Sequence, residues 1–121
     1  MQPAKILVVD DDAVARELLT EALKKEGYAV EAFASGEEVI ARGRQGRVDL
    51  VLTDIRMGAV DGLTVLREFK RMSPDTAVVV LTSFGSLEGA IEAIKQGAYD
   101  YLAKPFKKED IKLVVNRSLD H

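Results

Sequence analysis

The chain has 121 residues, 47% of them hydrophobic and 31% charged, with a formal net charge of −3. That is one domain's worth of chain with apolar material for one ordinary core, and its slight acidity argues against a nucleic-acid binder that works through bulk charge. There is no cysteine, which excludes disulfides and thiolate metal sites; the opening MQPAKILVVDDD is too briefly apolar for a signal peptide, and no stretch approaches the ~20 apolar residues of a membrane span. The expectation is a soluble, cytoplasmic, single domain over residues 1–121.

In chain order, Lys5–Val9 reads as a first strand and runs into Asp10-Asp11-Asp12. Val14, Leu18, Leu19, Ala22 and Leu23 follow at helical spacing, and Gly27 is placed to end that helix in the left-handed region. Ala29–Phe33 reads as a second strand. Ser35-Gly36-Glu37-Glu38 opens a second helix, with the serine and the glutamate three residues later forming a capping-box signature. Leu50–Thr53 is a third strand, ending at Asp54. Asp61-Gly62 reads as a turn and helix start, and Leu63, Leu66 and Phe69 share one face of a helix that runs to Met72, before Ser73-Pro74.

Ala77–Thr82 is a fourth strand. Leu87, Ala90, Ile91 and Ile94 have i, i+3, i+4, i+7 spacing and are assigned to the core as the inner face of a fourth helix, which Gly97 ends. Tyr99–Ala103 is a weaker fifth strand that leads into Lys104-Pro105. Ile111, Val114, Val115 and Leu119 mark one side of a fifth helix.

The runs ILVV, LVLT and VVVLT are nearly continuous rather than alternating, as strands buried on both faces of a parallel sheet are. Strand–helix alternation five times over predicts a doubly wound α/β domain with right-handed crossovers. Ligands in such sheets sit outside the C-terminal strand ends. The residues there are Asp10, Asp11 and Asp12 after strand one, Asp54 after strand three, Thr82 and Ser83 after strand four, and Lys104 after strand five. Each has a plain structural account when taken singly: Asp12 as a helix cap, Asp54 as a turn residue, Thr82 as an ordinary strand threonine, Lys104 as a solvated lysine. Their shared rim favours chemistry instead. Clustered carboxylates repel one another unless a cation is present, and oxygen donors without His or Cys favour Mg²⁺ over zinc. Carboxylate, lysine, hydroxyl and divalent ion together suit phosphoryl transfer, and a carboxylate can itself be the nucleophile.

The stretches ILVVDDD, DLVLTDIRM…DGL, VVVLTS and GAYDYLAKPF resemble the receiver domain of bacterial two-component response regulators. The likeness spans residues 5 to 106. It implies a flavodoxin-like (βα)5 fold with strand order 2-1-3-4-5. By this resemblance Asp54 is the phosphoacceptor. Asp11 and Asp54 ligate Mg²⁺ (or Mn²⁺) directly with the backbone carbonyl of Arg56, and Asp10 acts through water. Thr82 and Lys104 meet the phosphate, the Lys104–Pro105 peptide is cis, Ser83 leaves room, and Tyr101 is the aromatic switch that turns inward after Thr82. Phosphorylation then changes the surface of helix four, strand five and helix five. The likeness further implies a histidine kinase as donor, no catalysis beyond self-phosphorylation and autodephosphorylation, and transcription as the regulated output: TDIRM with GAYDYLAKPF looks most like receivers of sigma-54 (AAA+) activators.

The chain holds no P-loop motif and so no ATPase domain; it is expected to be a stand-alone receiver or, the favoured reading, a piece of a longer regulator. Glu88, Glu92 and Lys95 on helix four, with Lys104, Lys107 and Lys108 after strand five, would suit a homodimer through helix four and strand five, and suit a solvated surface equally. One departure stands out: Gly58 occupies a place where the family commonly has proline, which frees the loop after Asp54. Arg56 and Phe84 stand where the family tunes hydrolysis. Two other readings are weighed. A haloacid-dehalogenase-type phosphatase would need a second carboxylate where Arg56 stands, and a phosphate-independent binding module with an inactive site has only Gly58 in its favour.

Overall fold

The computed structural model describes residues 2–83 and 87–120. Among these, the elements alternate as β1 (Lys5–Val9), α1 (Ala13–Lys25), β2 (Ala29–Phe33), α2 (Gly36–Gly43), β3 (Leu50–Asp54), α3 (Gly62–Met72), β4 (Ala77–Thr82), α4 (Leu87–Lys95), β5 (Asp100–Ala103) and α5 (Lys108–Asp120). The strands form one parallel sheet in the order β2-β1-β3-β4-β5. The fold class and strand order expected above are therefore those observed.

Continuous apolar runs become the central strands. Every residue of β3 and β4 is buried, because helices cover both faces of a parallel sheet. Successive side chains point to opposite faces. Leu7, Val9, Val51, Val78 and Val80 face the side that α2 and α3 cover with Val39, Ile40, Leu66 and Phe69. Ile6, Val8, Leu52, Val79 and Leu81 face the side that α1 and α5 cover with Leu19, Leu23, Ile111 and Val115. The outer strands β2 and β5 are less buried and carry Glu31 and Asp100. Glu31 is tied to Lys5 and Arg42, and Asp100 to Arg117.

Local signals set the boundaries. Asp12, Ser35 and Asp61 each accept a backbone N–H in the first turn of their helix, from Val14, Glu38 and Thr64, which satisfies donors that the helix itself cannot. Gly27 and Gly97 close α1 and α4 with φ of 91° and 111°, a region that costs glycine little. Strand β3 runs one residue further than expected because Asp54 pairs with Leu81 of β4. Strand β5 begins one residue later, at Asp100.

One expectation is overturned. The aliphatic stripe of α4 is not core: Leu87, Ile91 and Ile94 are 60%, 47% and 43% exposed, whereas Ala90 and Ala93 are buried. Helix α4 approaches the sheet through its alanines, which let the backbones come close and leave the larger side chains outside. Helix α1 behaves similarly at one end. It buries Ala15, Leu19, Ala22 and Leu23 and leaves Val14 and Leu18 on the surface. The stripes of α3 and α5 do pack inward, through Leu66, Phe69, Ile111, Val114 and Val115.

Candidate functional site

The C-terminal ends of β1, β3, β4 and β5 bring together the residues that the sequence placed on one rim. Asp10 continues the β1–β2 ladder by donating its N–H to Phe33, and its side chain is fully buried. Its Oδ1 accepts the Asp12 N–H at 2.9 Å, and its carbonyl accepts from Arg16 Nη1 at 2.8 Å. Asp54 ends β3, is buried, and accepts the Arg56 N–H on Oδ1 at 3.3 Å. Thr82 ends β4 and is also buried. Its carbonyl accepts the Lys104 N–H at 2.7 Å, so the lysine backbone extends the β4–β5 ladder by one rung. The Lys104–Pro105 bond is cis, as expected.

The ammonium of Lys104 lies 2.8 Å from Asp10 Oδ2 and 3.3 Å from Asp54 Oδ2. The resemblance has Lys104 meet a phosphate carried by Asp54; in the structure Asp10 is its nearer partner. That contact is an ion pair whose angle is not that of a hydrogen bond. Asp10 Oδ2 is thus a buried oxygen without a hydrogen-bond donor among the described residues. Burial, then the neighbouring Asp10 carboxylate, push the Asp54 carboxyl above its ordinary value, and Lys104 and the Arg56 N–H only partly offset this. Desolvation alone would lower the Lys104 ammonium, but its pairing with Asp10 and Asp54 outweighs that and holds it above the usual lysine value.

The cluster is short of positive charge. One oxygen each from Asp10, Asp11 and Asp54 lies within 4.8 Å of the others, with Asp11 exposed and the other two buried. Hard oxygen donors with no nitrogen or sulfur ligand fit Mg²⁺ or Mn²⁺, and the donor-less Asp10 oxygen fits the same need. Such an ion would offset the carboxylates and polarise an incoming phosphoryl group.

Other expected residues border the cluster or face solvent. The Arg56 and Ser83 side chains are exposed. Tyr101 is 41% exposed and lines an apolar groove of about 210 Å³ with Leu87, Ile91 and Ile94. Phe84 lies outside the described residues. Asp12 is the α1 cap, as expected.

Two features were not read from the sequence. A Cβ on Gly62 would stand 2.1 Å from the Asp54 carbonyl oxygen, and the Gly62 N–H donates to Ile55 at 2.8 Å. Asp61-Gly62 is therefore more than a turn: it seats α3 directly behind Asp54. The DG dipeptide was visible, but nothing local said which backbone it would meet. Second, Val14, Leu18, Pro105 and Phe106 line an apolar groove of about 410 Å³ that reaches Lys104. The misplaced Val14 and Leu18 of the α1 stripe were its only sequence signal.

The family model described as response regulator receiver domain matches residues 6–116. The transcriptional regulatory protein ZraR of Salmonella typhimurium is 40% identical over 116 residues, which cover 96% of this chain and 26% of ZraR. The DNA-binding transcriptional regulator NtrC of the same organism is 38% identical over 121 residues, covering 100% of this chain and 26% of NtrC. The chain thus spans about a quarter of these curated relatives. Among solved structures, the receiver domain of NtrX from Brucella abortus superposes with a TM-score of 0.91 at 36% identity, covering 95% of this chain and 98% of that one.

Proposed function

The chain belongs to the response regulator receiver domain family, a family of signalling modules, and from that premise we propose that it is a switch thrown by phosphorylation of Asp54. A carboxylate oxygen of Asp54 attacks the phosphorus of a phosphohistidine on a sensor kinase. The P–N bond breaks, the imidazole nitrogen keeps the electron pair and takes a proton, and an aspartyl phosphate forms. Asp10, Asp11, Asp54 and the Arg56 carbonyl would hold Mg²⁺, which supplies charge neutralisation around the moving phosphoryl group. The observation that carries this reading is the convergence of Lys104 on Asp10 and Asp54, 2.8 and 3.3 Å away, beside a third carboxylate.

Each residue then has a task. Lys104 holds the carboxylates before transfer and pairs with the phosphate afterwards. Thr82 offers its hydroxyl to a phosphate oxygen, which opens space behind it for Tyr101, now exposed, to turn inward. The α4, β5 and α5 surface changes in consequence. The apolar groove beside Lys104, with Val14 largely exposed, supports a protein phosphodonor, because a small phosphodonor needs no such surface. The names of the relatives support transcription as the output, through a longer regulator of the sigma-54 activator type working in the cytoplasm. A homodimer through α4 and β5 belongs to the same proposal.

Intact-mass spectrometry after incubation with acetyl phosphate tests the core of it. One phosphoryl adduct, formed with Mg²⁺, lost with chelator and absent from Asp54→Asn, is the expected result. No adduct on the wild-type chain, with beryllofluoride also failing to bind, would leave a phosphate-independent binding module as the better reading.

A further inference from the structure

Ile55 follows the phosphoacceptor position directly, and three elements meet on it. Its N–H donates to Leu81 of β4 at 3.1 Å, and its carbonyl accepts from Gly62 of α3 at 2.8 Å. A Cβ on Gly62 would come within 2.7 Å of the Ile55 Cα, so the backbone has no room to move toward α3. Its side chain is buried in the core beneath α3 and α4, with Val65, Val80 and Ala93. The Ile55 Cδ1 would stand 3.2 Å, and Cγ2 3.7 Å, from a Cβ placed on Gly89, in the first turn of α4.

Glycine weakens a helix relative to alanine, so a glycine at position 89 calls for a reason. An alanine would crowd Ile55. Helix α4 otherwise enters the core only through Ala90 and Ala93 and leaves its large aliphatic side chains outside. It is lightly anchored, and its first turn rests on the residue next to Asp54.

We propose that the contact between Ile55 and Gly89 couples α4 to the state of Asp54, with Ile55 as a positioning residue rather than a catalytic one. This rests on the phosphorylation reading above and deepens it. A phosphoryl group at Asp54 acts on the end of β3, and the next side chain, that of Ile55, reaches the first turn of α4 at Gly89. Coupling of this kind is reciprocal: because the phosphorylated arrangement seats α4 differently on this reading, whatever disfavours its present seat favours that arrangement. Added bulk at position 89 penalises the present packing and therefore tightens binding of a phosphoryl mimic at Asp54. A contact that serves only stability would leave that affinity unchanged or weaken it.

The test is titration of the intact chain with beryllofluoride in saturating Mg²⁺, read by the NMR shifts of backbone amides in α4. Gly89→Ala is expected to bind the mimic about fivefold more tightly than wild type, within the range of ordinary allosteric couplings. Gly89→Val should go further in the same direction. Ile55→Val removes Cδ1, the atom in the tight contact, and combined with Gly89→Ala should restore affinity to within about twofold of wild type, as a double-mutant cycle requires of a direct contact. Unchanged or weakened affinity in Gly89→Ala, or a shift that survives in the double variant, overturns the coupling while the wild type still binds. A wild-type chain that binds no beryllofluoride overturns the phosphorylation reading itself, and this proposal with it.

Discussion

Helices α3 and α4 cover the same face of the sheet, follow neighbouring strands and show similar apolar periodicity, yet they are held in opposite ways. Helix α3 buries Leu66 and Phe69 completely and starts at Gly62, jammed against the Asp54 carbonyl. Helix α4 buries only alanines and turns Leu87, Ile91 and Ile94 outward beside Tyr101. One helix is locked into the site by large side chains, and the other is held by small ones and presents its aliphatic side chains outward. Periodicity tells which residues share a helix face. The size of the residues flanking that face decides whether its large members meet the sheet or the solvent.

The sharpest way to break this contrast is to truncate an equivalent large side chain on each helix. Phe69→Ala should cost about 3–5 kcal/mol, the usual range for a buried aromatic. Ile91→Ala, with half its surface already in water, should change stability by less than about 0.5 kcal/mol. Urea denaturation of both variants decides it, and similar losses would mean that α4 is anchored as firmly as α3.

A smaller effect separates the helices from the charge cluster behind them. The carboxyl of Asp54 titrates above its ordinary value in the fold, so the folded chain binds its proton more tightly than the unfolded chain does. The contribution of this group to the stability of the metal-free domain is therefore fully present below the usual carboxylate range and is lost as pH rises through the raised value. Asp54→Asn should flatten that part of the profile and raise the neutral-pH melting temperature by a few degrees, with thermal melts in chelator as the check. A neutral variant that melts lower than wild type would show the Lys104–Asp54 pair to be net stabilising.

The smallest expected effect lies in the loop into α3. A Cβ on Gly58 would meet nothing within 4 Å, and its φ is not in the left-handed region. Gly58→Pro should then stabilise the domain by about 0.4–1 kcal/mol, by reducing the freedom of the unfolded chain. Chemical denaturation with and without Mg²⁺ would measure it. A loss of stability would show that the Gly58 N–H is in use.

Much of this was legible in the sequence, for identifiable reasons. The runs ILVV and VVVLT read as buried parallel strands because they are short, continuous and rich in β-branched residues. Strand ends then put Asp10, Asp54, Thr82 and Lys104 on one rim without any knowledge of side-chain positions. The strand order came from the family likeness, since periodicity carries no neighbour relations. The preference of Lys104 for Asp10 was hidden because both carboxylates share the rim and only side-chain geometry separates them. The outward turn of Ile91 and Ile94 was hidden because a stripe marks a face but not what lies against it. Gly62 was underrated because its neighbour, the Asp54 carbonyl, is set by tertiary packing alone.

The pairing of Lys104 with Asp54 joins residues 50 positions apart, and that separation has a consequence in time. Translation at about 5–20 residues per second leaves several seconds between the appearance of the aspartate and that of the lysine. During that interval the nascent chain carries Asp54 but not the strand that completes its surroundings. On the phosphorylation reading proposed above, an unfinished polypeptide is therefore mute, because the lysine that completes the cluster has yet to be made.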